Sequence, residues 1–441
     1  MHLVFCFFLL LSLVVPPVSG IDVPLARITD DTALRLSVKD TWLLESPGKV
    51  LSRPRVQYRL AGGGKVELRT ETGREEFMVI LAREHNNTFP GWAQGSWILT
   101  RRKDSGAASR IRVFPRSDPN TYIQFRHFSA DKCLMDVVIY DAFAVHSLPL
   151  PVHLERLYTM PLTEVLDLAG SKFPRRYFEP EPDNYREQRL FIQKVREKLP
   201  SLRYADDGAI DQQGRYVYIE TGMEQTGQKG LNCSGFAKWL VDGMLKPVSG
   251  ERLEIPPLKA PFGSRGSTYT ETWEELRDPF FGLDWIRNLA SQAATILYAP
   301  AFGNIDEIVV KKEPFSRIII RTGTGSTLQS YSGVLEHAGY SIEGLLPLLY
   351  TLAIDEPDRF YLAAVNNELG APRTESNPRG QPRIRQYFHV AALVPYFTEN
   401  GIFTVAVFES AAETPIKNFI SRYPNHKISL VRVPVESKFN P

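Results

Sequence analysis

The chain has 441 residues, too many for one average domain, so two or three are expected. Apolar residues make up 43% and charged residues 23%, the proportions of ordinary globular protein. The formal net charge of +2 gives no ground for a nucleic acid or an anionic surface as partner.

Residues 1–20 read as a secretory signal. Val4 to Val15 is almost purely apolar, Pro16-Pro17 breaks the run, and Val18-Ser19-Gly20 offers small residues for cleavage. The run is too short for a comfortable membrane span, and no later segment is apolar enough to make one. The mature protein is therefore expected to be exported and free of membrane spans. Cys6 leaves with the signal, so only Cys133 and Cys233 remain. A disulfide between them suits an oxidising compartment but would block Cys233 as a nucleophile. No cysteine cluster has zinc-site spacing.

Residues 21–150 predict an all-β, sandwich-like domain. Val56, Tyr58 and Leu60 alternate with polar residues, Gly62-Gly63-Gly64 turns the chain, and Val66 and Leu68 alternate again. Further strands are expected over Phe77–Leu81, Trp97–Thr100, Ile111–Phe114, Tyr122–Phe128 and Val137–Tyr140. His127 and Asp136 read as members of solvated strand faces or turns. Residues 151–205 form a connector with a short helix over Leu162–Leu168. A longer helix is expected over Asn184–Leu199, with Phe191, Val195 and Leu199 as its apolar stripe and Asn184 and Glu187 at capping-box spacing.

Residues 206–441 carry the chemistry. In Asn232-Cys233-Ser234-Gly235-Phe236-Ala237-Lys238-Trp239-Leu240, a polar turn runs into a stretch of helical periodicity, so Cys233 falls on the first turn of a helix. Unpaired N–H groups and the helix dipole there favour a thiolate. The plain alternative is a buried structural cysteine. Gly235 permits close packing beneath the helix. A segment of about 246–358 follows as an insert: loop over Lys246–Gly266, helix over Trp273–Leu297, short strands at Ile308–Val310 and Ile318–Arg321, and a helix over Ile342–Leu352 interrupted by Pro347. The loop is expected to border a cleft at Cys233, and the helix to pack outside the catalytic sheet. Strands are expected over Phe360–Val365, His389–Tyr396, Ile402–Glu409 and Ile428–Val433, with a helix over Thr414–Ile420. Thr398-Glu399-Asn400-Gly401 is a hairpin turn; His389 lies ten residues before Glu399 and Glu409 ten after, so Glu409 faces His389. A carboxylate there fixes one imidazole nitrogen and leaves the other for a thiol. His337 and His426 read as surface residues without a facing carboxylate.

Asn232-Cys233-Ser234-Gly235-Phe236 resembles the Asp-Cys-Ser-Gly-Phe/Leu signature of the NlpC/P60 cysteine peptidases, with Asn232 where that family usually has Asp. The resemblance implies an α+β protein whose C-terminal domain has a reduced papain-like fold. It implies Cys233 as nucleophile, His389 as base and Glu409 as the residue that orients it. It places Tyr216 or Tyr218 at the oxyanion or substrate site, in the stretch Arg215 to Gly222, which lacks the family's paired glycines; Ser234 is the small residue beside the thiol. His389 follows Cys233 by 156 residues, a longer separation than the family's, which the insert accommodates. No metal or organic cofactor is implied. The implied reaction is hydrolysis of amide bonds in peptidoglycan stem peptides through a thioacyl enzyme, in a bacterial periplasm or at the cell surface. Two rivals keep the papain-like shape: a wall-binding or adhesion module without catalysis, and an acyltransferase that uses the same triad.

Overall fold

The computed structural model describes residues 21–263, 278–322, 325–331, 333–335, 338–369 and 383–441. Residues 1–20, expected to be a signal, His337 and the Trp273 end of the expected insert helix lie outside the described residues. The protein is α+β. Its N-terminal part holds strands β1 (Val56–Arg59), β2 (Lys65–Thr72), β3 (Glu76–Arg83), β4 (Trp97–Arg102), β5 (Ala108–Val113), β6 (Tyr122–His127), β7 (Cys133–Ile139) and β8 (Ala142–Leu150). They pair antiparallel in sequence order, a meander in one sheet. The expected sandwich of two facing sheets is therefore replaced by a single one. The alternation that betrays each strand says nothing of which strands pair, and short turns between neighbours favour successive pairing. β8 ends at Leu150, and Pro149 within it pairs only with Leu134, near the end of the ladder.

Among the described residues five helices have seven residues or more: α1 (Arg186–Lys198), α2 (Cys233–Ser249), α3 (Phe281–Leu297), α4 (Leu345–Asp355) and α5 (Ile416–Arg422). None is long and apolar enough to cross a membrane. α1 buries Phe191, Ile192 and Val195, and the Phe191 ring stacks on Phe360 at 5.5 Å. Its expected capping box is absent: the helix starts after Tyr185 with no side-chain cap, and Asn184 lies in a 3-10 turn. α2 continues through Pro247, so the loop expected from Lys246 is helical to Ser249 and again over Ile255–Leu258. Pro347 stands third in α4, where its missing N–H has no helical partner to lose, so that helix is not interrupted.

The C-terminal sheet contains β13 (Val334–Leu335), β14 (Gly339–Ser341), β15 (Arg359–Leu369), β16 (Arg383–Phe397), β17 (Phe403–Glu409), β18 (Ala412–Pro415) and β19 (Lys427–Pro434) in the order β13-β14-β19-β15-β16-β17-β18, all antiparallel. Strands β9 (Gly208–Ile210) and β10 (Tyr216–Tyr218) make a small separate hairpin, while the β11 (Arg317–Thr322) and β12 (Gly325–Ser330) hairpin extends the N-terminal sheet beyond β8. Phe360 to Val365 are all fully buried, so both faces of the sheet are covered. α2 and α3 pack on each other, and α1, α2, α3 and α4 all touch β16. The helix expected outside the sheet is thus part of its core: α3 buries Leu283, Trp285, Ile286 and Leu289, and it touches β15, β16 and β19.

The insert does not form a unit of its own. β11 leaves it to join the N-terminal sheet, where Ile318 pairs with Ala142 and Arg321 forms two hydrogen bonds to Asp141, at 2.9 and 2.5 Å. A second tie runs to the β16–β17 turn: Asp22 N–H donates to Asn400 O at 3.0 Å, and Arg116 bridges the Gly401 carbonyl and the Asp22 carboxylate.

Inside α2, Lys238 and Asp242 form a fully buried ion pair at 2.6 Å. Lys238 also donates to the Ile210 carbonyl, and Asp242 accepts from the Leu253 N–H, so one pair ties α2 to β9 and to the following loop. Burial lowers the Lys238 pKa and raises that of Asp242. Replacing Lys238 by methionine strands a buried carboxylate, and urea denaturation is expected to show a loss of about 3–5 kcal/mol. The double change Lys238→Met with Asp242→Leu should regain most of it. A single variant as stable as wild type would mean that the pair carries no such weight.

Candidate active site

Cys233 is the first residue of α2. The Asn232 side chain caps the helix by accepting from the Gly235 N–H at 2.7 Å. Gly235 sits against the β9 backbone so closely that a Cβ there would meet the Gly208 carbonyl at 1.9 Å. That contact seats the start of the helix on the β9–β10 hairpin. Trp285 Nε1 donates to the Ser234 carbonyl at 2.8 Å, which fixes the same turn from the α3 side. The Ser234 hydroxyl lies 4.0 Å from the Cys233 sulfur.

His389 lies on β16 and pairs with Val365; the next pair is Asn366 with Tyr387, so Phe388 is an extra residue, a bulge beside the histidine. Across the hairpin Ala392 pairs with Phe408, which sets Glu409 opposite Ala391 and two residues off the position directly opposite His389. A slip of two keeps the same face of the sheet, and a long side chain spans the diagonal. His389 Nε2 and Glu409 Oε2 are 2.6 Å apart. Nδ1 is the ring nitrogen that Glu409 does not take, and His389 and the Cys233 thiol are near enough to shift each other's ionisation. Glu409 is itself held: its Oε1 accepts from Thr414 at 2.6 Å and from Arg422 at 2.7 Å. The Tyr423 ring lies 5.8 Å from that of His389. His426 sits instead in the turn before β19, with Nδ1 3.0 Å from the Pro424 carbonyl.

The electrostatics match this chain of contacts. Burial opposes ionisation of Cys233, but the His389 ring, the Val390 N–H and the Ser234 hydroxyl outweigh it and hold the thiol below its ordinary pKa. Burial alone would depress His389; its bonds to Cys233 and Glu409 instead push it up to about 9. Burial would raise Glu409, yet His389, Thr414 and Arg422 hold it at about 2. These directions favour an ion pair of thiolate and imidazolium, backed by the carboxylate. Stability drawn from a lowered carboxylate pKa is complete above the ordinary value of 4.5 and lost as pH falls toward 2. Unfolding free energies from urea titrations at pH 6 and pH 3 should therefore differ more in wild type than in Glu409→Gln, by about 2 kcal/mol. Equal differences in the two proteins would show that Glu409 is not so held.

A cleft of about 410 Å³ opens at Cys233. Tyr204, Asp206, Asp207, Glu220, Lys259, Asp278, Phe281 and Phe388 line it together with Asn232, Cys233 and Ser234. Lys259, from the expected cleft-side loop, stands there, held to the Ile219 and Glu220 carbonyls. Tyr216 and Tyr218 do not line it. Tyr216 and Tyr218 are in β10, paired with Ile210 and Gly208, and the Tyr218 hydroxyl faces Thr226 at 3.5 Å. Two other tyrosines line it, Tyr387 and Tyr204, and the Tyr204 hydroxyl donates to Asp206 at 2.6 Å. That bond, with burial and the nearby Cys233 charge, lifts its pKa to about 12. Its sequence signal was the nearby Gly208, which packs beneath Gly235; the β9–β10 hairpin between Tyr204 and Cys233 hides it. Cys133 and Cys233 are both free thiols, and Cys133 is buried in β7.

Residues 24–177 match a family model described as a domain of unknown function, DUF8515. The match spans β1 to β8 and the first part of the connector, and includes none of Cys233, His389 and Glu409. No curated protein matches the chain. No solved structure matches it.

Proposed function

We propose that the C-terminal part is a papain-like cysteine peptidase of the NlpC/P60 type, exported by a bacterium, that hydrolyses amide bonds in peptidoglycan stem peptides. The observation that carries this reading is a thiol at a helix N-terminus joined to an imidazole whose far nitrogen meets a buried carboxylate. In the proposed reaction the Cys233 thiolate attacks the amide carbonyl. The Cys233 backbone N–H at the helix start stabilises the oxyanion. His389 protonates the leaving amine through Nδ1, and the thioester forms as the C–N bond breaks. Water then attacks the thioester, gives its proton to His389, and releases the acid and the thiol. Throughout, Glu409 keeps the ring oriented and stabilises its charge. The carboxylates of Asp206, Asp207, Glu220 and Asp278 suit a peptide that carries an amino group.

The test is release of soluble muropeptides from purified peptidoglycan, followed by mass spectrometry. Wild-type protein should release them and Cys233→Ala should not. Release should be greatest where Cys233 is ionised and His389 still protonated, rising from the acid side and falling as pH passes about 9. Sedimentation of an inactive wild type with peptidoglycan would favour a wall-binding module, and peptide-amine exchange without hydrolysis an acyltransferase.

A further inference from the structure

A second constellation of nucleophile, base and acid lies on the N-terminal sheet. Between β7 and β8, Met135 pairs with Leu148 and Val137 with Val145, so the single residue Asp136 stands opposite two, His146 and Ser147. Neighbours on a strand ordinarily point to opposite faces. Ser147 has a φ of 55°, a left-handed conformation uncommon outside glycine, and this turns its hydroxyl to the His146 side. Such strain costs about 1–3 kcal/mol and tends to persist at functional sites. Asp136, expected on a solvated face, is buried to 1% exposure. Its Oδ1 lies 3.1 Å from His146 Nδ1 and accepts from the Ser147 N–H at 2.8 Å, while Oδ2 accepts from Arg126 Nε at 2.8 Å. The other ring nitrogen, His146 Nε2, lies 3.4 Å from Ser147 Oγ, to which Arg126 Nη2 donates at 2.9 Å.

We infer that Ser147, His146 and Asp136 form an acyl-transfer centre that hydrolyses small O-acyl esters. A buried carboxylate holds Nδ1 as donor, which leaves Nε2 basic toward the hydroxyl. Arg126 supplies fixed positive charge where the ester oxygen becomes an oxyanion. Ser147 Oγ bonds to the carbonyl carbon as its proton passes to His146 Nε2. The intermediate collapses, the C–O bond to the leaving alcohol breaks, and that oxygen takes the proton from His146. Water repeats the sequence on acyl-Ser147 and releases the carboxylic acid. Esters are the class in question because their alkoxide leaves more readily than an amine and asks for no second acid.

The experiment uses the full chain carrying Cys233→Ala, so that the thiol does not hydrolyse the probe. The protein is treated with diisopropyl fluorophosphate and mapped by mass spectrometry, and p-nitrophenyl acetate turnover is measured alongside. The expected result is an adduct at Ser147 and turnover that falls at least about 100-fold in Ser147→Gly and in His146→Gln. Ser147→Gly accommodates the left-handed backbone, so it separates chemistry from folding. The absence of an adduct at Ser147, or turnover unchanged in Ser147→Gly, would overturn the assignment. An adduct that forms equally well in His146→Gln would overturn the role of the histidine as base.

Discussion

Replacing Cys233 or His389 by alanine is expected to lower muropeptide release by about 10⁴-fold or more, and replacing both to lower it no further. The reason lies in how the two groups share one charge. The thiol sits below its ordinary pKa chiefly because His389 outweighs the cost of burial, and His389 reaches about 9 because the sulfur and Glu409 both hold its proton. Remove the ring and the buried sulfur becomes a neutral thiol, a poor nucleophile; remove the sulfur and the ring has nothing to activate. Each loss disables the same step, so the effects cannot multiply. Initial rates on a soluble tetrapeptide, with melting temperatures as a fold control, decide the matter. Losses that multiply would mean that the two residues act separately, and an active Cys233→Ala protein would remove the mechanism altogether.

The second large effect concerns a residue with no side chain. Gly235→Ala would put a methyl carbon 1.9 Å from the Gly208 carbonyl and 2.8 Å from the Ala209 Cα, both backbone atoms of β9. A flexible side chain could swing away; a hydrogen-bonded strand cannot. The helix start must therefore lift, which breaks the Asn232 cap and carries Cys233 off His389. We expect a loss of about 3 kcal/mol, from overpacking with the cap lost, and a matching fall in thiolate content measured by iodoacetamide alkylation at pH 7. Wild-type stability and alkylation rate in Gly235→Ala would show that β9 yields.

Much of this arrangement can be read from the residues because local rules cover it. Asn232 and the periodicity after it mark a helix start, and Thr398 to Gly401 between two apolar runs marks a hairpin. The pairing of Glu409 with His389 survives an error of two residues in register because strand faces repeat every two. Tyr204 was missed because it reaches the cleft around the β9–β10 hairpin, 29 residues before Cys233, where no periodicity operates. The resemblance points instead to Tyr216 and Tyr218, which stand in the stretch Arg215 to Gly222 but pair inside the β9–β10 hairpin. The bulge at Asp136 was equally out of sight, since strict alternation gives His146 and Ser147 opposite faces. The role of α3 and the pairing of β11 with β8 depend on contacts far apart in the chain, which composition and spacing do not encode.

That last pairing bears on the order in which the molecule can be made. During synthesis the first eight strands emerge before the helix that carries Cys233, yet the sheet they form gains its last two strands only after residue 330 has left the ribosome. The strand of His389 follows later still, and its turn closes on Asp22, near the beginning of the described chain. The two sheets are thus laced together, each waiting on chain that also belongs to the other. A proteolytic cut in the connector should leave the fragments associated, and a fragment starting at residue 206 should express as an incomplete fold, with β11 lacking its neighbour and the β16–β17 turn lacking its anchor.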